Sequence, residues 1–193
     1  MSRVARTVAA GLVVSLCWVV IAAPAGAKDR PVTGGKMTMS ASSAIVELVT
    51  FLRGHGVTVT STGPATLEHG VVTWPVVGGS VELPSMHGTM DLRGGLKFAE
   101  GNRVLRMRDY ELSYHGDEAI FSALISGRYV SLHRIVVARM HDPDVHMSGD
   151  TGTMSGGLEI TADWAGLINR LLDRHVLVAG ADLGDCSATV HAA

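Results

Sequence analysis

Cysteine is nearly absent from this 193-residue chain: Cys17 and Cys186 are the two that occur. Cys17 sits inside an apolar run, Gly11 to Ala23, that reads as removable, so Cys186 is left alone and no internal disulfide can form. The core alone must then hold the fold, and Cys186 is expected as a buried thiol in the last strand. Asp185 beside it argues against an activated thiolate. Aromatic residues are few, three each of Phe, Tyr and Trp, against 23 glycines. Together with abundant valine, that balance favours short strands and tight turns over a helix bundle. No Lys/Arg-rich stretch is present, so nothing tracks a phosphate backbone and nucleic acid is excluded as a partner. Catalytic signatures are also missing: no serine lies in a Gly-x-Ser-x-Gly elbow, and no helix carries His-Glu-x-x-His. An enzyme is not expected.

The one long apolar run defines the first segment. Arg3 and Arg6 precede it, and Pro24-Ala25-Gly26-Ala27 closes it with small residues at both required places of a cleavage site. The run is shorter than the ~20 apolar residues that span a bilayer. Residues 1–27 are therefore expected to be an export signal. Leu16 before Cys17 is too bulky for a lipid-attachment site. The remainder, 28–193, suits a single domain without a membrane span, secreted or associated with the cell envelope. Both arginines of the signal leave with it, and the rest carries a formal charge of −4 with histidine neutral.

Two segments have helical periodicity. Ile45, Leu48, Val49 and Leu52 form one stripe, with Ser42 or Ser43 as cap and Gly54 or Gly56 as stop. Trp164, Leu167, Ile168 and Leu171 form the other, capped by Thr161, with Asp163 favourably placed in the first turn. Strands are expected over Gly70–Leu83, Arg103–Tyr114, Ala119–Ser126, Tyr129–Met140 and Ser187–His191, with Gly34-Gly35, Gly78-Gly79, Gly94-Gly95 and Gly156-Gly157 as punctuation. The apolar phase slips between Met107 and Tyr110, which predicts a β-bulge near Arg108-Asp109. An internal echo, strand–capped helix–strand, relates 36–59 to 158–178. The fold class expected is all-β dominated, a β-sandwich of antiparallel sheets with two short amphipathic helices.

The order of motifs carries further information: GVTVTSTGPAT, then Pro-x-x-Gly-Gly from Pro75 to Gly79, then Gly88-Thr89-Met90 followed by Gly94-Gly95-Leu96. Over nearly all of 36–190 this order resembles the HtaA-like domains of actinobacterial secreted proteins. The resemblance implies an exported, envelope-linked β-sandwich-like domain and, in one branch, haem capture through a helix tyrosine supported by a histidine beside the later glycine-rich turn. This chain has no tyrosine in the 42–53 helix and no histidine in the 91–95 turn, although His87 lies just upstream, so neither ligand carries over.

Two other ligand sets are expectations from the residues themselves. Tyr110 and Tyr114 share one strand face and Tyr129 follows in a neighbouring strand. With His115 or His133 they could hold ferric haem through a phenolate. Met140, His141, His146 and Met147 flank an Asp-Pro-Asp turn, and thioether with imidazole suits Cu(I). The functional expectation is a non-enzymatic binding domain for haem or another small hydrophobic ligand. The alternatives are a structural or adhesive envelope module without cofactor, and copper binding.

Overall fold

The computed structural model describes residues 29–83, 85–128 and 130–193. The expected export signal, 1–27, and Tyr129 lie outside the described residues. Eleven strands and two helices follow one another: β1 (Asp29–Ala41), α1 (Ser43–Gly54), β2 (Val57–Thr62), β3 (Thr66–Glu68), β4 (Val71–Glu82), β5 (His87–Glu100), β6 (Arg103–His115), β7 (Glu118–Gly127), β8 (Val130–His141), β9 (Asp144–Ser148), β10 (Thr151–Ile160), α2 (Ala162–Leu172) and β11 (Asp182–Ala192).

The strands do not form a sandwich. They pair antiparallel in the order β5-β6-β7-β8-β10-β11-β1-β4, and β4 returns to pair with β5, so eight strands close into a barrel. An inward/outward alternation is common to both architectures, so the residue pattern alone could not separate them. Closure is set by β4, which bonds β1 on one side and β5 on the other. A barrel has no free edge, and eight strands leave an interior that side chains fill or that holds one small ligand.

The glycine pairs explain how the strands bend enough to close. They were expected between strands and instead lie within β1, β4, β5 and β10. Three of them coincide with register shifts, at Val32/Gly34, Val76/Gly78 and Leu92/Gly95. Gly35 has φ of +144°, and a Cβ there would collide with the Thr189 carbonyl oxygen on the paired strand. Such a glycine is a barrel corner rather than a turn. The bulge expected at Arg108-Asp109 is present: Asp109 has φ of +49°, the β6–β7 register shifts between Arg108 and Glu111, and the inward residues change from Leu105 and Met107 to Tyr110, Leu112 and Tyr114.

Both helices begin as their caps dictate. Ser42 Oγ accepts from the Ile45 amide at 3.4 Å, and Thr161 Oγ1 from the Trp164 amide at 3.3 Å. α2 stops at Asp173, in the left-handed conformation. The internal echo then breaks, because Val176–Val178 is not a strand. The Asn169 side chain takes over that backbone: its amide donates to the Leu177 carbonyl at 2.8 Å, and its oxygen accepts from the Val176 and Leu177 amides. Among the described residues no helix is long and apolar enough to cross a membrane.

Candidate functional site

Both helices, β2 and β3 gather at one end of the barrel, around an apolar cavity of about 470 Å³. That volume lies within the usual range of small-molecule sites. The two helices contribute very differently. α2 buries Trp164, Ala165, Leu167, Ile168 and Leu172, whereas α1 buries Leu52 alone and leaves Phe51 55% exposed. The α1 stripe of Ile45, Leu48 and Val49 lines the cavity and is only partly buried, with Ile45 and Leu48 packed at the margin of the core. α1 therefore roofs the barrel mouth without plugging it.

The floor is aromatic. Trp74 from β4, Tyr110 from β6 and Phe121 from β7 are buried, with ring centroids 5.0 to 5.6 Å apart and Tyr110 stacked on Phe121. Each ring comes from a different inward strand position, and the bulge at Asp109 is what turns Tyr110 inward. Among the described residues neither the Trp74 Nε1 nor the Tyr110 hydroxyl has a hydrogen-bond partner. Burial pushes the Tyr110 phenol well above its ordinary value, so it stays protonated at neutral pH. Polar side chains lining the cavity, besides Tyr110, are Thr50, Arg53 and His69. Thr50 is committed to the Val46 carbonyl at 2.8 Å.

Solved structures share this architecture. The C-terminal domain of HtaA from Corynebacterium glutamicum superposes with a TM-score of 0.70 at 14% identity, over 85% of this chain and 99% of that one. The N-terminal domain of the same protein gives 0.65 at 16%, over 84% and 98%. The chain has the fold of an HtaA domain. A third structure with this fold, the heme binding protein HtaB from the same organism, gives 0.62 at 13% identity, over 86% and 96%. No family model and no curated protein matches the sequence.

Within the HtaA fold the expected haem residues are dispersed. Tyr110 is on the cavity floor. Tyr114 is buried further along β6, its ring 5.3 Å from that of His87. His115 points outward and bonds Ser113 at 2.9 Å, and His133 is exposed on β8, its Nδ1 on the Ser131 carbonyl. Neither histidine lines the cavity.

The four Met/His residues are likewise not gathered. Met140 is fully buried, its side chain filling the space beside Gly156, where an added Cβ would stand 2.8 Å from its Cγ. Met147 lies over Gly152 together with Met86. His141 and His146 are exposed and face Glu159 at 4.0 Å and Asp144 at 3.2 Å. Among the described residues no group of three or more His, Cys, Asp or Glu side chains could hold a metal ion. Cys186 is buried in β11, as its position suggested, and burial pushes its thiol up to about 12.

Sequence reasoning missed Trp74, Phe121, Arg53 and His69. The first two meet only through pairing of strands distant in sequence. His69 carried a weak signal: His-Gly directly precedes the β-branched run Val71-Val72-Thr73, and glycine is common at the second position of a two-residue hairpin turn.

Proposed function

We propose that this chain is an exported, non-enzymatic binding domain whose cavity takes one small, largely apolar ligand, with haem as the named candidate. The observation that carries the reading is the roofed cavity itself: the partly buried apolar stripe of an amphipathic helix and three aromatic rings line the same open space. Exposed apolar surface of that kind is unfavourable by roughly 25 cal/mol per Å², and a ligand that covers it recovers that energy. Kinship of fold with a heme binding protein supports the choice of candidate. The residues present suit a macrocycle's faces, since aromatic and thioether groups surround the space, Met39 and Met107 among them. They do not suit a phenolate ligand at Tyr110, whose hydroxyl lies buried without a cation beside it.

The test is a titration of the purified protein with haemin, followed by visible absorption and quenching of tryptophan emission. Saturable binding at a single site, with quenching by a ligand close to Trp74 and Trp164, is expected. A flat response to haemin, to iron-free protoporphyrin and to an apolar fluorescent dye would refute the cavity reading. An envelope module without a cofactor would then be the account to test.

A further inference from the structure

We infer that His69 is the iron-coordinating residue of the cavity and that Arg53 receives the carboxylates of the same ligand, a ferric porphyrin. This rests on the cavity reading above and goes beyond it by assigning the polar contacts.

His69 and Gly70 form the two-residue turn of the β3–β4 hairpin, between the paired Glu68 and Val71. Both have positive φ, +50° and +82°. Glycine accepts that conformation freely, whereas a residue with a Cβ is disfavoured there by about 1–2 kcal/mol. Asparagine or glycine is the usual choice in such a turn. A histidine held in a disfavoured backbone conformation is a reason to ask what its ring does.

The turn is fixed against the roof of the cavity. The Ala41 amide donates to the Gly70 carbonyl at 2.9 Å, just before α1 begins. A Cβ on Gly70 would stand 3.1 Å from a Val46 methyl, so the turn packs closely on the first half of α1. His69 thereby lines the cavity at its rim, and its imidazole has no hydrogen-bond or ion-pair partner among the described residues. Among the described residues it is the one histidine that lines the cavity. Arg53 occupies the last turn of α1, seven residues beyond Val46, which is about 10 Å along a helix. Its guanidinium likewise has no partner among the described residues.

An apolar chamber with an exposed, unpaired imidazole at one end of its rim and an exposed, unpaired guanidinium at the other selects a definite chemistry. The body must be apolar, one atom must accept a nitrogen lone pair, and an anionic group must lie at the edge. A ferric porphyrin carrying propionates has all three: imidazole is a common axial ligand of haem iron, and arginine pairs with carboxylates through a two-pronged hydrogen bond. A simple fatty acid would satisfy Arg53 and leave His69 without a task.

The experiment compares haemin and iron-free protoporphyrin on wild-type protein, His69→Ala and Arg53→Gln, with circular dichroism to verify folding. His69→Ala should weaken haemin binding about tenfold or more, remove the imidazole-ligated ferric spectrum, and leave protoporphyrin affinity unchanged. Added free imidazole should restore the spectrum. Arg53→Gln should weaken both porphyrins about equally. If His69→Ala binds haemin with the wild-type spectrum and affinity, the coordination assignment is wrong while the cavity reading stands. Wild-type protein that binds protoporphyrin but not haemin overturns the coordination assignment in the same way. Failure of wild-type protein to bind either porphyrin overturns both. Should His69→Ala lose its fold, His69→Asn, which suits the turn, carries the same comparison.

Discussion

Replacing Tyr110 by Phe should stabilise this protein, although the change removes a polar group from its core. The hydroxyl is buried and lacks a partner among the described residues, whereas the ring stacks on Phe121 and packs beside Trp74. A buried polar group left unpaired costs about 1–3 kcal/mol, and phenylalanine keeps the ring contacts. The expected gain is about 1 kcal/mol, or about 2–4 °C in Tm for a domain of this size. The same substitution has a signature in pH. Burial disfavours the phenolate, so the folded chain retains this proton above 10.0, where the unfolded chain releases it. The unfolded state then binds fewer protons, and stability falls by about 1.4 kcal/mol for each pH unit above 10. Cys186 adds a decline of the same sign between 9.0 and about 12. Tyr110→Phe removes only the first contribution. Urea unfolding should therefore show a constant advantage for the variant below pH 10 and a growing one above it. A loss of 1 kcal/mol or more at neutral pH would show that the hydroxyl is paired and that the floor of the cavity has been misread.

Further substitutions test the architecture. Gly35→Ala should be among the most damaging single changes, about 3 kcal/mol or more, because the new methyl meets the Thr189 carbonyl in a conformation alanine avoids; loss of cooperative thermal unfolding is the readout. Asn169→Ala should cost about 2–3 kcal/mol by abandoning three hydrogen bonds to 176–177, and amide exchange should accelerate in that segment before any other part of the chain.

The parts of this structure that local chemistry determines are readable from the chain itself. Ser42 and Thr161 cap the helices because their side chains satisfy amides three residues ahead, and the slip in apolar phase at Arg108-Asp109 is the bulge itself. What escapes such reading depends on strands meeting across long sequence separations. Gly35 looks like a turn glycine until Thr189 is known to lie against it. Barrel and sandwich differ only in whether β4 finds β5. The site is harder still. The tyrosines stand out in the sequence as metal ligands, yet Tyr110 owes its interest to where it sits between Trp74 and Phe121, on three strands that local patterning cannot assemble. His69 looks like the approach to a strand, although its turn fixes its place at the cavity rim.

The two ends of the barrel are built to opposite purposes, and that difference can be tested at Gly152. The helical end keeps open space; the other is packed with flexible thioethers. Gly152 and Gly156 lack side chains on the inward face of β10, and Met86, Met147 and Met140 occupy the room they leave. Unbranched thioethers fill irregular gaps well. At Gly152→Ala the new methyl would contact the sulfurs of Met86 and Met147, both far ends of movable side chains, and the glycine's φ is not in the left-handed region. Met147 is partly exposed and can yield outward, whereas Met86 is fully buried and cannot easily do so. The cost should therefore be about 1–3 kcal/mol, the ordinary cost of overpacking rather than of a broken backbone, and much less than at Gly35. Haemin affinity should be unchanged, since the cavity lies at the far end of the barrel. A variant that loses haemin binding while retaining its fold would mean that the sulfur-packed end, not the roofed one, holds the ligand.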